Sequence, residues 1–480
     1  MKLKDLLQGV EVLHWGADPQ MEIAAVTSDT RENFPAGSLF VALTGFAFDG
    51  NRFIPMALEK GAVAVVTTRK PELEIPYILV ENDRLALARI GANFYGHPAK
   101  AMTMIGVTGT NGKTSVTWLL KQVLEKTTAS KVGLIGTMEN HIGAEVLDTD
   151  RTTPESIQLQ RLFARMRDAD CRYVVMEVSS HAIALHRVEG IHFSVAAFTN
   201  LTEDHLDFHE SMENYGQTKA QLFARCDKAV VNQDCAWGQR MVAGCKIPVI
   251  ATAVDGCGNL TAKNVKYSGD GLHFTTVYGG KSVEVDVPIP GKFTVYNVLT
   301  VLGIALQLGI PMEKTAEALR TVRGVKGRVE VVPTPGKDYT LLIDYAHTPD
   351  GLENVLSAVR GFCKGRLIAV FGCGGDRDRK KRPIMGEIGV RLADVAVITS
   401  DNPRTEVPGA IIADIVAGLG EASNYVVVEN RVEAIHYAMN IAEKDDIIVL
   451  AGKGHETYQE VMGVKHHMDE REIVAEYLEK

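Results

Sequence analysis

Between Met102 and Lys126 an apolar run, a glycine-rich turn and a helical pattern follow one another without interruption. That succession restricts the chain to folds that present a loop at the carboxyl end of a buried strand. The apolar run Met102–Val107 leads into Thr108-Gly109-Thr110-Asn111-Gly112-Lys113-Thr114, and the helical pattern continues from Lys113 to Lys126. Glycines let the backbone curl around an anion, and the amide groups of the turn and the helix start bind it. Lys113 would reach the β- and γ-phosphates of a nucleotide, and the Thr114 hydroxyl would ligate Mg²⁺. The general phosphate-loop pattern asks for glycine five residues before Gly112, where Val107 stands; Gly106 and Gly109 are present instead. The match is therefore to a shortened variant. The plainer alternative, a glycine-rich turn with a solvated lysine, explains less of the strand–loop–helix context.

The rest of the chain supports an α/β organisation in three blocks. Its 480 residues accommodate two to four domains at about 100–200 residues each. Residues 1–100 carry short β-branched runs, Ala62–Val66 and Tyr77–Val80, separated by turn-forming Gly and Pro. Residues 101–328 hold the glycine-rich loop, further buried-strand candidates at Tyr173–Val178 and Val195–Thr199, and a helix-like Tyr296–Leu308. Residues 329–480 alternate strand candidates (Tyr339–Ile343, Leu367–Phe371, Val395–Thr399, Tyr425–Val428, Asp446–Leu450) with helix-like Gly351–Val359 and Val432–Glu443. This last alternation predicts a doubly wound, Rossmann-like sheet. Four polar loops follow its strand ends: 344–347, 372–377, 400–404 and 451–456. Ligands of such sheets sit beyond those ends.

Composition narrows the function classes. A net charge of −9 provides no basic field for a nucleic acid. The seven cysteines form no C-x-x-C pair and are odd in number, which fits free thiols in a reducing cytoplasm. Asp5, Gln8 and Glu11 interrupt any signal-peptide apolar region, and no run of 18 apolar residues suggests a membrane span. Oligomeric state leaves no trace, and a monomer is the simplest expectation.

Three groups could serve a nucleotide site. Glu177 ends the Tyr173–Val178 segment's apolar run and could hold Mg²⁺ opposite the phosphate loop. The run Asn200–His209 is dense in polar side chains; His205 and His209 are four apart, but no H-E-x-x-H zinc pattern and no third ligand accompany them. It could equally be an acidic helix cap. Lys219 reads by itself as an ordinary solvated lysine on a helix.

Taken together, these motifs resemble the Mur ligase family along the whole chain. The residues that carry the resemblance are Thr27–Arg31, Gly109–Thr114, Thr152-Thr153-Pro154, Glu177–His181, Asp204-His205, Tyr215–Phe223, Gly291-Lys292-Phe293 with Tyr296-Asn297, Gly324–Arg328, Asp344–Pro349, Gly374–Arg377, Asp401–Arg404 and Gly452–Glu456. The resemblance implies an N-terminal domain for the uridine end of the substrate, a central ATP domain, and a C-terminal domain for an incoming amino acid. It implies that Ser28, Thr152, Thr153, Ser179 and Arg187 hold a UDP-linked muramoyl dipeptide. Asn297, Arg328 and Asp344 would approach the nucleotide that Thr108–Thr114 cradle. Lys219 would be carbamylated by CO₂ and, with Glu177 and His205, surround a second Mg²⁺. That reaction requires a neutral amine and thus a lowered pKa.

The chemistry so implied is amide formation through an acyl phosphate, in cytoplasmic peptidoglycan synthesis and hence in cell shape and division. Asp401-Asn402-Pro403-Arg404 points to meso-diaminopimelate rather than L-lysine. Diaminopimelate has a second, distal carboxylate, and an arginine holds a carboxylate with two parallel hydrogen bonds. Arg404 is the residue expected to do this, with Arg377 as a second cation and Gly452 and Glu456 at the distal amino–carboxyl end. Other readings are the lysine-adding enzyme, a folylpolyglutamate synthetase of the same superfamily, a phosphate-loop switch or motor ATPase, and a degenerate binding module. A switch or motor would not need the four C-terminal loops, and a degenerate module would not keep Lys113, Thr114, Glu177, His205 and Lys219.

Overall fold

The computed structural model describes residues 1–45, 49–268 and 271–479. The chain divides into two compact units, Met1–Asn259 with Thr300–Pro311, and Leu260–Leu299 with Met312–Lys480.

Two sheets build the first unit. The N-terminal sheet orders its strands Val12–Gly16, Tyr77–Val80, Ala62–Thr67, Ser38–Val41 and Val26–Thr27, parallel except for Val12–Gly16. The helix Asp83–Phe94 buries Ala86, Leu87 and Ile90 against its Leu39, Val41, Val66 and Ile78. In the second sheet the strands Val249–Ala253, Ala229–Asn232, Val195–Phe198, Thr103–Thr108, Cys171–Glu177 and Lys131–Ile135 lie parallel in that spatial order. Asn140–Ile142 and Glu145–Leu147 extend it antiparallel. After Thr103–Thr108 the chain builds Lys131–Ile135 and Cys171–Glu177 on one side of it and then Val195–Phe198 and Ala229–Asn232 on the other, so its carboxyl end is a switch point. There the loops on either side diverge and leave room for a ligand.

The second unit contains the antiparallel strands Leu260–Ser268, Gly271–Tyr278 and Lys281–Val287 and a sheet ordered Glu330–Val332, Thr340–Asp344, Ile447–Ala451, Leu367–Phe371, Val395–Ile398, Tyr425–Val427. All neighbours in that sheet are parallel except the first pair. Strand side chains alternate between faces. Leu342, Ala369, Phe371, Ile398 and Val449 accordingly pack against Leu352, Val355, Met385 and Ile411 on one side. Leu341, Ile343, Val370, Val397 and Leu450 pack against Ala434, Ile435, Met439 and Val474 on the other. Side-chain caps set the helix starts. Thr348 Oγ1 accepts from Gly351 N at 3.2 Å ahead of Pro349–Arg360, and Asn430 Oδ1 from Val432 N at 2.9 Å ahead of Arg431–Ile441.

The α/β class and the doubly wound C-terminal sheet agree with the sequence reading, with element ends shifted by a few residues. The strand expected at Tyr339–Ile343 runs Thr340–Asp344, that at Asp446–Leu450 runs Ile447–Ala451, and the helix expected from Tyr296 begins at Lys292. No helix among the described residues is long and apolar enough to cross a membrane.

Candidate active site

In the first unit the glycine-rich loop leaves the strand Thr103–Thr108 and enters the helix Lys113–Thr128. Gly112, at φ +85°, occupies the helix N-cap in the left-handed region, where a side chain would be strained. Gly109 has φ +149°, and a Cβ there would collide with Thr199 Oγ1. The polar run after the strand Val195–Phe198 clamps the loop. Thr199 Oγ1 donates to Asn111 O at 2.6 Å, Asn111 N to Asn200 Oδ1 at 2.9 Å, Thr110 N to Asn200 O at 2.9 Å and Thr202 N to Thr110 Oγ1 at 3.1 Å. Part of the run Asn200–His209 is thus a brace for the loop, and only Leu206–His209 is helical. Thr199 was not among the expected site residues, and Asn200 entered only as the first residue of the polar run; their position at a strand end beside the loop was the available signal. Lys113 Nζ donates to Gly109 O at 2.9 Å and Thr110 O at 2.8 Å, folded over the place where phosphates would lie.

Glu177, at the end of the strand Cys171–Glu177, is fully buried beneath this loop. Its Oε2 accepts from Thr114 Oγ1 at 3.1 Å and from Thr137 Oγ1 at 3.0 Å, and its Oε1 from Thr137 N at 2.9 Å. A hydroxyl and a carboxylate so placed are hard oxygen donors of the kind Mg²⁺ takes. The same strand end gathers the expected dipeptide residues. Thr152 Oγ1 and Thr137 Oγ1 share a hydrogen bond at 3.0 Å. Thr153 Oγ1 donates to Glu177 O at 2.9 Å and accepts from Ser179 N at 3.1 Å, and Arg187 Nη1 donates to Thr153 O at 3.1 Å. Ser28 lies after the strand Val26–Thr27, next to the Asp29–Arg31 ion pair at 2.6 Å.

Lys219, on the helix Met212–Ala220, is only 1% exposed. Its Nζ donates to Gly109 O at 3.0 Å and lies over the Tyr215 ring at 4.5 Å. Burial, and then the Lys113 charge, push its pKa well below the ordinary lysine value. This lysine is not the solvated charge that its sequence context alone suggests, and a buried amine with a lowered pKa fits carbamylation. Among the described residues no three His, Cys, Asp or Glu side chains gather as a metal site. A carbamate on Lys219 would add the oxygen ligand that such a gathering lacks. His205, in the left-handed region at φ +54°, packs its ring edge against His181 at 4.8 Å. Burial lowers its pKa, which favours the neutral ring that a metal would need.

In the second unit the four expected loops knit into one cluster. Lys453 is completely buried; its Nζ donates to Asn402 Oδ1 at 2.8 Å and to Glu456 Oε2 at 3.0 Å. Asn402 Nδ2 in turn donates to Glu456 Oε2 at 2.8 Å. Asn402 Oδ1 also accepts from Glu460 N at 2.9 Å, which draws in the hairpin Tyr458–Val461, Val464–His467. Arg404 donates from Nη1 to Gly375 O at 2.8 Å, faces Glu460 Oε2 at 3.2 Å, and so joins the loop of Arg377, whose side chain is exposed. Pro403 is buried between Asn402, whose carbonyl accepts from Gly375 N at 2.9 Å, and Arg404. Gly452 places Asp401 Oδ2 close by, and that oxygen is buried without a hydrogen-bond partner. Beneath them Arg431 binds Glu470 Oε1 at 2.8 Å and Ala451 O at 2.8 Å, both side chains fully buried. Lys453, Arg431 and Glu470 were missed in the sequence. A lysine between two glycines reads as a mobile surface residue, and its partners are 51 and 3 positions away.

Asp344 ends its strand buried, accepting from Val329 N and Ala346 N at 2.8 Å each. Burial raises its pKa against the opposing pull of Arg328, whose guanidinium lies over the Tyr345 ring at 5.1 Å. Asn297 is buried in the helix Lys292–Gln307.

Known proteins carry the same pattern. The family description "Mur ligase family, catalytic domain" matches residues 22–97, "Mur ligase middle domain" 107–305, and "Mur ligase, glutamate ligase domain" 327–454. A UDP-N-acetylmuramoyl-L-alanyl-D-glutamate--2,6-diaminopimelate ligase of Caldanaerobacter subterraneus subsp. tengcongensis is 48% identical, over 100% of this chain and 99% of its own. A solved structure of an enzyme of the same name superposes with a TM-score of 0.75 at 29% identity, covering 100% of this chain and 99% of that one. The MurF ligase of Thermotoga maritima in complex with ADP shares the fold, with a TM-score of 0.63 at 18% identity over 95% and 97% of the two chains.

Proposed function

The chain belongs to the Mur ligase family, and from that premise we propose that it uses ATP to join meso-diaminopimelate to UDP-N-acetylmuramoyl-L-alanyl-D-glutamate in peptidoglycan synthesis. It is a ligase of three α/β domains. Residues 1–100 take the uridine end, 101–328 the nucleotide and 329–480 the amino acid, in a cytoplasmic monomer. The observation that carries the reading is the second unit's loop cluster, in which Asp401–Arg404 and Gly452–Glu456 are locked together through Lys453. A switch or motor ATPase has no use for it.

The reaction begins with two anions meeting. The substrate carboxylate attacks the γ-phosphorus, the bond to ADP breaks, and an acyl phosphate forms. Lys113, freed from its carbonyl contacts, would follow the charge on the β- and γ-oxygens, and the loop amides braced by Thr199 and Asn200 would bind the same phosphates. Thr114 and Glu177 would hold one Mg²⁺ and Glu177, His205 and the Lys219 carbamate a second, each supplying positive charge to the transferring group. Asn297, Arg328 and Asp344 are assigned to the nucleotide. Thr152, Thr153, Ser179, Arg187 and Ser28 hold the muramoyl dipeptide. The amine of diaminopimelate then attacks the acyl carbon, phosphate leaves, and the amine loses its proton as the amide forms. Arg404 and Arg377 would take the distal carboxylate, and Asp401, Asn402, Gly452 and Glu456 the amino–carboxyl groups. Lysine lacks the distal carboxylate that would draw Arg404 from its present partners Glu460 and Gly375 O, so it gains no charge-assisted contact there, which favours the diaminopimelate enzyme over the lysine-adding one.

The test is stoichiometry. With ATP, Mg²⁺, the UDP-muramoyl dipeptide and diaminopimelate, the protein should release one phosphate for each tripeptide formed. Phosphate released without amide would move the protein to the ATPase class.

A further inference from the structure

Three arginines in the first unit converge on one carboxylate. Glu155 precedes the helix Ser156–Asp168 at its N-cap, yet its side chain caps nothing. Its Oε1 is instead 2.7 Å from Arg151 Nη1 and 2.9 Å from Arg187 Nη2, and its Oε2 is 3.6 Å from Arg84 Nη1. Arg84 comes from the helix Asp83–Phe94 that covers the N-terminal sheet; Arg151 and Arg187 flank Thr152-Thr153 and Ser179. The neighbouring acids are mostly engaged elsewhere, although Asp29 also feels the Arg151 charge. Asp29 is committed to Arg31 at 2.6 Å, Glu32 to Arg161 at 3.3 Å, and Asp83 Oδ2 to Thr44 N at 2.7 Å. Two of the guanidinium nitrogens, Arg84 Nη1 and Arg187 Nε, are buried with no hydrogen-bond acceptor. Three cations against one anion, with two orphaned donors, is an arrangement that a second anion completes. Arg187 Nη1, held on Thr153 O at 3.1 Å, fixes that guanidinium beside the expected dipeptide residues.

We propose that Arg84, Arg151 and Arg187 form an oxyanion seat in which Glu155 is the resident counter-charge and an anionic group of the UDP-linked substrate is the transient one. Arg84 and Arg151 then join the binding residues, and Arg84 ties the N-terminal domain to substrate binding. The seat rests on the substrate class proposed above. Its ligand chemistry is a phosphate or carboxylate oxygen, which the substrate offers in its diphosphate and in its dipeptide.

Titration calorimetry on the full-length protein tests it with two probes, UDP-N-acetylmuramoyl-L-alanyl-D-glutamate and UDP-N-acetylmuramate without the peptide. Arg84→Gln should weaken the complete substrate about tenfold or more, the worth of one charge-assisted hydrogen bond. It should leave the affinity for a non-hydrolysable ATP analogue unchanged, which also reports that the protein is folded. Arg151→Gln, a half-exposed position, should act in the same direction, and Arg84→Lys should recover part of the loss. If the oxygen comes from the diphosphate, the peptide-free probe weakens equally; if from the dipeptide, that probe is indifferent to Arg84. Either pattern supports the seat. Wild-type affinity for the complete substrate in both Arg84→Gln and Arg151→Gln would overturn it. Failure of the wild-type protein to bind either probe would instead overturn the substrate assignment on which the seat rests.

Discussion

Replacing Lys453 by Met keeps the aliphatic stem and removes the ammonium from the buried junction of two loops. Two hydrogen bonds disappear, to Asn402 Oδ1 at 2.8 Å and to Glu456 Oε2 at 3.0 Å. Hydrogen bonds to charged groups are worth about 1.5–3 kcal/mol each, and removing one partner of a fully buried ion pair costs about 3–5 kcal/mol. Glu456 retains the Asn402 Nδ2 bond at 2.8 Å, and its side chain is 14% exposed, so water can take over part of the lost charge contact. The loss should therefore fall at about 2–4 kcal/mol, below the figure for a wholly buried pair. If half of it appears as disorder of the Asp401–Arg404 and Gly452–Glu456 loops, the KM for diaminopimelate rises about 5–30-fold. Steady-state kinetics with each substrate varied in turn, beside a urea unfolding curve, reads both effects. The KM values for ATP and for the UDP-muramoyl dipeptide should change by less than about twofold, since those ligands are assigned elsewhere. Equal rises in all three KM values, or a variant as stable as wild type with unchanged kinetics, would show that Lys453 does not hold the two loops together.

Other perturbations follow from the same geometry. Gly216→Ala should lower the melting temperature and activity: the added methyl would overlap the six-membered ring of Trp237, itself stacked under Arg240 at 3.7 Å. Overpacking of about 1–3 kcal/mol outweighs the roughly 1 kcal/mol that alanine gains in a helix, and a raised melting temperature would contradict this. Glu406 should make stability acid-sensitive. Hydrogen bonding from Arg382 lowers its pKa from 4.5 to about 2, so its stabilisation is complete above pH 4.5 and disappears as pH falls through 2. Glu406→Gln should flatten the acid limb of a denaturation-midpoint profile, and an unchanged limb would count against the Arg382 pairing. ¹³C-bicarbonate should give a carbamate resonance in the wild-type protein, lost in Lys219→Ala; identical spectra would remove the carbamate.

The sequence made the strand–loop–helix and the four C-terminal loops legible, because both depend on residues close together in the chain. Apolar runs buried on both faces announce parallel strands, and polar residues at their ends mark the ligand side. The strands Leu260–Ser268, Gly271–Tyr278 and Lys281–Val287 went unread. Their mixed pattern, with Lys263, Asn264 and Lys266 exposed, lacks an apolar run. The pair Gly279-Gly280, with φ of +56° and +78°, was a usable hairpin signal. Glu155 and Lys453 could not be read locally. A glutamate before a helix looks like a cap and a lysine between glycines looks solvated; what decides both is a set of partners that folding alone brings near.

The choice of amino acid is decided by direct competition. Purified protein with ATP, Mg²⁺ and the UDP-muramoyl dipeptide is offered equal concentrations of meso-diaminopimelate and L-lysine, and the products are weighed by mass spectrometry, for wild type and for Arg404→Ala. Wild type should give the diaminopimelate tripeptide almost alone, with that preference eroded in Arg404→Ala. A lysine tripeptide from wild type, or an undiminished preference in the variant, would contradict the assignment of Arg404 and with it the substrate proposed here.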